Sequence, residues 1–503
     1  MLLLSNCSVL DGSGTPAYVA SVLIDGKTIL DIGPNLQVSG CEKVDCSGLT
    51  IAPGFIDLHS HSDLQVLERR TEKLKQGVTT EVVGNCGFSP FPCSADCTEM
   101  REFAAGILGK TDGWGWPSAA SYIDSLRSTQ SSAYAIPLVG HGSLRIAVHG
   151  LAQDSLSAVE LDRMCGLLED SLDAGCAGLS MGLMYAPGSS ADTNELERLC
   201  SIVARKDKLY TSHIRSYSRT LVEAVREQID LAKATGCRLQ ISHLQAAGRD
   251  YWHLQQSALD VIESAHNSGV DVEFDIYPYQ CGSTVLTQLL PQWTLEGGIP
   301  ALLARLNNKK TRAQLRDELN ALGAERWSDV TISSVPSAAN ESLIGKTVTE
   351  IAAIRAIDPA SCVFSLLEEE NGAVNIVSFN QSETNLKQLI THELCSVMTD
   401  GFYVKGNPHP RLHGAYPELL GTLVREKRWL TLSDAVRKST SQPASRLRLR
   451  DRGILRPGFT ADLVAFDPVL IASRATYSDP KADPVGIAFV MKEGAIVMRG
   501  NRS

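Results

Sequence analysis

At 503 residues the chain is too long for one ordinary compact domain, and long enough for an α/β barrel with insertions plus one small domain. Hydrophobic residues at 43% and charged residues at 21% supply a sizeable core and exclude a disordered chain. The net charge of −10 is spread without a Lys/Arg run that could follow a phosphate backbone, and no stretch approaches the roughly 20 apolar residues of a membrane span, so neither nucleic acid nor membrane is an expected partner.

Met1 to Gly14 has a short apolar run but lacks the basic flank, longer apolar core and cleavage site of a signal peptide, and reads as a strand. From there to about Ile51, alternating apolar runs such as Ser21 to Asp25 are cut by Gly and Asp turns, which predicts a small β domain. The 13 cysteines are odd in number and without paired spacing; they fit buried free thiols in a reducing cytoplasm.

The next run, Pro53 to His61, is an apolar strand ending in His-x-His, His59 and His61. Alternate residues of a strand share a side, so both imidazoles can face a barrel axis, although a pair of surface or capping histidines would look the same. Glu81 to Pro90 then places Cys86 at a strand end between Gly84 and Gly87. A thiolate there is a strong zinc ligand, and the alternative is one more buried inert cysteine. His141, between Gly140 and Gly142, also sits at a strand end, with no role that the sequence specifies.

Strand and helix then alternate with a period of about 30 residues. A strand ending at His213, an amphipathic helix from Ser218 to Gly236, a strand from Arg238 to His243, a helix near Ala258 to Ser268 and a strand from Val272 to Tyr277 follow one another. Repeated βα units predict a parallel sheet closed into a barrel. His213 and His243 end successive strands one repeat apart, so as a register-matched pair they favour metal ligation over two separate structural histidines. Nine candidate strands fall between Ile51 and Asp400, one too many for eight, with the excess at Glu273 to Tyr277 or Val374 to Phe379. Residues from about Thr284 to Thr347 break the rhythm, with a basic helical stretch Lys309 to Arg316 and no clear core strand; they predict an insertion over the barrel mouth.

Asp400 closes a further apolar strand, Ser396 to Gly401, where a carboxylate can bind metal and move a proton; otherwise it is a turn residue before Gly401. Short strands at Ala461 to Phe466, Gly486 to Met491 and Ala495 to Met498 repeat the N-terminal texture. The predicted division is 1–51 plus 441–503 as one β-rich domain and 52–440 as the barrel, with the insertion at about 284–347.

Taken together and in order, PGFIDLHSHSD, EVVGNCGFSP, GLSMGLMYAPGS, TSHIR, ISHLQAAGR, DIYPYQCGST, TDG followed by PRLHGAYPELLG, and GILRPGFTADLVAFDP resemble the amidohydrolase superfamily. Within it the chain is similar to the N-acyl-D-amino-acid deacylases, or D-aminoacylases. The resemblance implies a metal-dependent (β/α)8 TIM barrel with a small β-rich domain formed from both chain ends. It implies zinc in one tight site on Cys86, His213 and His243, and a second, weaker site on His59, His61 and Asp400. The hydantoinase branch commonly bridges two metals with a carboxylated Lys after the fourth strand; Ala177 to Tyr185 holds no Lys, and the resemblance makes Cys86 the candidate substitute.

The same resemblance implies that Arg411 binds the substrate carboxylate, that Tyr277 and Ser283 offer hydroxyls, and that Tyr185 lines the pocket. Two positions depart from it: Gln245 stands where many relatives have Lys, and Tyr217 where many have an acidic residue. The implied reaction is hydrolysis of an N-acyl-D-amino acid, a small-molecule partner, with Asp400 as the proton carrier. Gln245 keeps open another amide, cyclic amide or dipeptide hydrolase on the same scaffold. A catalytically inactive barrel serving binding or assembly is the alternative of a different class, disfavoured because all six candidate ligand positions are filled. The sequence carries no signal of oligomeric state.

Overall fold

A computed structural model describes residues 1–94, 96–109, 113–129, 133–323 and 325–500. Its centre is a ring of parallel strands: β1 (Phe55–Asp57), β2 (Val78–Val83), β3 (Tyr134–Pro137, continued by Val139–Gly140), β4 (Gly178–Gly182), β5 (Leu209–His213), β6 (Arg238–Ile241), β7 (Val272–Ile276) and β8 (Cys395–Val397). β3 joins two arcs, since its first half pairs with β2 and its second with β4. The ring closes because the Asp400 N–H donates to His59 O at 2.8 Å and the His61 N–H to Gly401 O at 3.0 Å.

The helix Leu221–Thr235 shows how the sequence places a helix against the ring. Leu221, Ala224, Val225, Gln228, Ile229, Leu231 and Ala232 fall on one side and are buried. Each large aliphatic side chain so placed contributes roughly 1.5–3 kcal/mol. The one buried amide on this face, Gln228, accepts the Tyr210 hydroxyl of β5. Gly236, at φ 73°, ends the helix with its N–H on Ala232 O, a left-handed cap that only glycine adopts without strain.

The ninth candidate strand is resolved by register. Val272, Phe274 and Ile276 are buried and make β7, whereas Asn375–Phe379 runs antiparallel between Cys281–Val285 and Val330–Ser334 in a separate three-stranded sheet. Val330–Ser334 is thus a core strand within the stretch where none was expected. It is short and two of its five residues are serines, and it is buried by the helices Val348–Arg355 and Pro359–Glu369 rather than by barrel neighbours. This sheet has its own apolar core, from Leu286 to Ile376, with Trp327 and Phe364 fully buried. Its edge touches the loops beyond β6 and β8: the Gly248 N–H donates to Asn380 O and the Asn407 N–H to Ser333 O.

Both chain ends build one eight-stranded sheet, in which Thr50–Pro53 pairs antiparallel with Leu463–Phe466. Among the described residues no helix is long and apolar enough to cross a membrane. Eleven cysteines are free, as expected, but Cys93 and Cys97 are joined as a disulfide, their Cα atoms brought to 5.6 Å where the loop beyond β2 folds back.

Candidate active site

Seven of the eight barrel strands deliver a candidate side chain at their C-terminal ends, the face where barrel chemistry is done. β1 leads into His59 and His61, β2 into Cys86, β4 into Tyr185, β6 into His243, β7 into Tyr277 and β8 into Asp400, while His213 is the last residue of β5. His59, His61, Cys86, His213, His243 and Asp400 are all buried, and they fall into three overlapping groups, each with its ligand atoms within 4.8 Å of one another.

The distances suit a metal. A tetrahedral ion with N and S ligands at about 2.0–2.3 Å sets its donors roughly 3.3–3.8 Å apart. Cys86 Sγ lies 3.3 Å from His59 Nε2 and 3.4 Å from His243 Nε2. His61 Nε2 is 3.3 Å and His59 Nε2 3.6 Å from Asp400 Oδ1. Both ring nitrogens of His213 are buried without a hydrogen-bond partner, as is Nδ1 of His61. Orphaned buried polar atoms are rare in native proteins and point to a ligand.

For three of the imidazoles the electrostatics agree, whereas burial pushes the Cys86 thiol up. Burial holds His213 down to about 3, and it holds His243 and His61 below the ordinary imidazole range, so these rings present lone pairs. Burial pushes the Asp400 carboxyl up, but Arg411, His61 and His59 outweigh it and hold the group well below the usual carboxylate range.

The backbone is strained at this place. Cys86, His243 and Asp400 have φ of 54°, 34° and 49°, left-handed values that cost non-glycine residues roughly 1–3 kcal/mol where the surroundings impose them. Gly84 and Gly87 make the Cys86 turn possible: a Cβ on Gly84 would stand 2.3 Å from Leu138 O, and one on Gly87 2.9 Å from Gly182 N.

The residues read from the sequence as substrate contacts lie around this cluster. Arg411, fully buried at the start of the helix Arg411–Glu418, has Nη1 2.9 Å from Asp400 Oδ2 and its guanidinium 4.5 Å above the Tyr277 ring. Tyr277, whose phenol burial pushes up to about 12, shares a hydrogen bond with the Gln245 amide at 3.1 Å. Tyr185 packs on His213, with ring centres 4.7 Å apart. Ser283 is placed differently from a free hydroxyl donor: its Oγ donates to Ile376 O, and its carbonyl lies 3.4 Å from Arg411 Nη2.

Tyr217 packs edge-on against His213 at 5.0 Å and lies 5.1 Å from His243, while its hydroxyl donates to Ser242 O. The departure from the family pattern at Tyr217 thus puts an aromatic wall beside two candidate ligands. Among the described residues His141 joins no ligand group; its Nε2 bonds Glu195, which also pairs with Arg145. Asp275 was missed. It accepts the His243 N–H at 2.7 Å and lies 3.6 Å from His59 Nδ1, orienting two candidate ligands from below. The signal for it was an acid in the middle of the apolar strand β7.

The model of the amidohydrolase family matches residues 42–498. The chain belongs to the amidohydrolase family. This amidohydrolase is 34% identical over 491 residues to an N-acyl-D-glutamate deacylase of Alcaligenes xylosoxydans xylosoxydans, covering 97% of this chain and 92% of that protein. It is 31% identical over 504 residues to a D-aminoacylase of the same organism, covering 99% and 94%. It also superposes with a TM-score of 0.84, at 31% identity and covering 99% and 96% of the two chains, on the crystal structure of an N-acyl-D-glutamate deacylase from Bordetella bronchiseptica. That structure is complexed with zinc and a phosphonate inhibitor that mimics the tetrahedral intermediate of the reaction.

Proposed function

We propose that this amidohydrolase is a zinc-dependent enzyme that cleaves the amide bond of N-acyl-D-amino acids to a carboxylate and a free D-amino acid. Cys86, His213 and His243 hold the tight zinc, and His59, His61 and Asp400 form a second, weaker site. The observation that carries the reading is the buried cluster of ligand atoms within 4.8 Å, with unpartnered imidazole nitrogens, at the C-terminal ends of barrel strands.

Zinc held there supplies a water acidified to near neutrality and an electrophile for the scissile carbonyl oxygen. Asp400, between His61 and Arg411, takes the proton of the attacking water and returns it to the leaving nitrogen. Arg411 grips the α-carboxylate of the substrate. Its Nε and Nη1 are buried without hydrogen-bond acceptors, because Nη1 approaches Asp400 off the hydrogen-bonding direction, and a planar fork with spare donors suits a carboxylate. Tyr277, Gln245, Tyr185 and Ser283 line the remainder of the pocket. Gln245 is neutral and is engaged with the Tyr277 hydroxyl, which favours neutral or apolar side chains on the substrate. The D configuration rests on the relatives, not on any single residue.

The eleven free cysteines support a cytoplasmic location. The sheet built from both chain ends supports a division into 1–51 plus 441–503 and 52–440; the insertion expected at about 284–347 belongs to a unit whose sheet runs from Cys281 to Phe379, and residues 501–503 lie outside the described ones. The functional reading is tested by a panel of N-acyl amino acids of both configurations. Hydrolysis of D members well above their L counterparts is expected, and a zinc-loaded enzyme that hydrolyses none of them would overturn it.

A further inference from the structure

A barrel must hold its first strand against its last, and here those two strands carry one of the two ligand sets. His59 and His61 follow β1, Asp400 follows β8, and the side chains that fasten β1 to β8 lie directly below them. The Tyr416 hydroxyl sits between Ile56 O at 3.2 Å and Val397 O at 3.3 Å. One layer higher, Asp57 accepts the Thr399 N–H at 2.8 Å and the Thr399 hydroxyl at 2.6 Å. Lys73, from the loop between β1 and β2, inserts its ammonium among them. It bonds Asp57, donates to Thr399 Oγ1 at 2.6 Å, and stands 3.5 Å from Ser60 Oγ and 3.8 Å from Glu81 Oε2. Lys73, Asp57 and Thr399 are all buried, at 3%, 0% and 0% exposure.

Burying a lysine with two carboxylates is costly unless every donor is engaged, and an ammonium has three donors, which Asp57, Thr399 and Ser60 meet here. Thr399 is equally occupied. Its hydroxyl donates to Asp57, accepts from Lys73, and accepts the Gly401 N–H at 3.0 Å. It therefore fixes the backbone on both sides of Asp400, at a residue whose φ of 49° has to be held in place. Ser60, between the two histidines, is tied to the same group through its bond to Glu81 at 2.9 Å.

We infer that Lys73, Asp57 and Thr399 form a buried clasp that positions Asp400 against His59 and His61, and so sets the second metal site and the proton carrier without touching the site on Cys86, His213 and His243. These are positioning residues: none of them is within a ligand group. The inference rests on the proposed function for what the positioned residues do, but not for the clasp itself, whose effect on the β1–β8 seam exists with or without zinc.

The test compares Thr399→Val, which keeps the shape and loses the hydroxyl, with Thr399→Ser, which keeps the hydroxyl; Lys73→Met is the harsher variant that could fail to fold. Amide hydrogen exchange over residues 55–61 and 395–401 in metal-free protein reads the seam, and zinc titration with kcat and KM reads the site. Thr399→Val is expected to exchange faster in both segments and keep its tight zinc. Its second zinc should bind roughly tenfold more weakly or worse, and kcat should fall by a similar factor with KM little changed, the usual scale for residues that orient ligands. Thr399→Ser should behave as wild type. Unchanged exchange in Thr399→Val would overturn the clasp whatever the metal does, as would equal impairment of Thr399→Ser or loss of the tight zinc in step with the second. A wild type that binds no zinc would instead overturn the functional reading, and the exchange result would still decide the clasp.

Discussion

The guanidinium of Arg411 lies 2.9 Å from the carboxylate of Asp400, so the residue read as the substrate anchor and the residue read as the proton carrier are in contact. Both are buried, and an ion pair of this kind is strongly weakened by removing one partner, because the other charge is left in a dry place. On the proposed reading Arg411 serves two carboxylates: that of Asp400 continuously, and that of the substrate when it is bound.

Arg411→Ala should lower kcat/KM for N-acyl amino acids by several kcal/mol in barrier terms, on the order of 10²–10³-fold. Arg411→Lys should recover only part of this, since an ammonium restores the charge but not the fork. A carboxamide analogue should be a poor substrate of the wild type, and equal turnover of acid and carboxamide would remove the carboxylate from Arg411.

Asp400→Asn suits the backbone, since asparagine tolerates the left-handed conformation that this position has at φ 49°, but it leaves the buried Arg411 charge unpaired and should lower stability. It should retain the tight zinc and lose turnover by about 10²-fold or more, the scale of a lost general base. Near wild-type kcat in a folded, zinc-bearing variant would reduce Asp400 to a structural part.

Cys86→Ala should lose zinc and activity together, because the thiolate is common to two of the three ligand groups. Metal analysis of the folded variant checks it, and full zinc retention would contradict the assignment.

The clustering of the candidate ligands was legible because they obey two local rules: they lie at or just beyond strand ends, and His213 and His243 are one βα repeat apart. Asp275 was not legible as a ligand support, because its role depends on β7 lying beside β6 and across from His59. Lys73 and Thr399 are more distant still, 326 positions apart in sequence, and only closure of the barrel brings them together. The sheet around Val330–Ser334 escaped for a different reason: its strand is short, serine-rich and flanked by 3-10 turns, so no period marks it. The Cys93–Cys97 bond likewise depends on a loop folding back, which spacing alone does not reveal.

Gln245 gives a prediction on side chains. Gln245 is a neutral amide bonded to Tyr277 and 3.4 Å from the Asn380 amide, so it supplies no charge to a second carboxylate beyond what Arg411 offers the first. N-acyl-D-Leu and N-acyl-D-Met should exceed N-acyl-D-Glu and N-acyl-D-Asp in kcat/KM. A clear preference for the acidic members would show that a cation from elsewhere, such as the inserted segment, reaches the substrate.

The most direct measurement is hydrolysis of an N-acyl-D-amino acid by the same preparation before chelation, after chelation and after zinc is returned. The account predicts D-selective hydrolysis that disappears with the metal and returns as the tight site refills, at about one zinc per chain. Hydrolysis indifferent to the chelator, or none in the zinc-loaded protein, would contradict it.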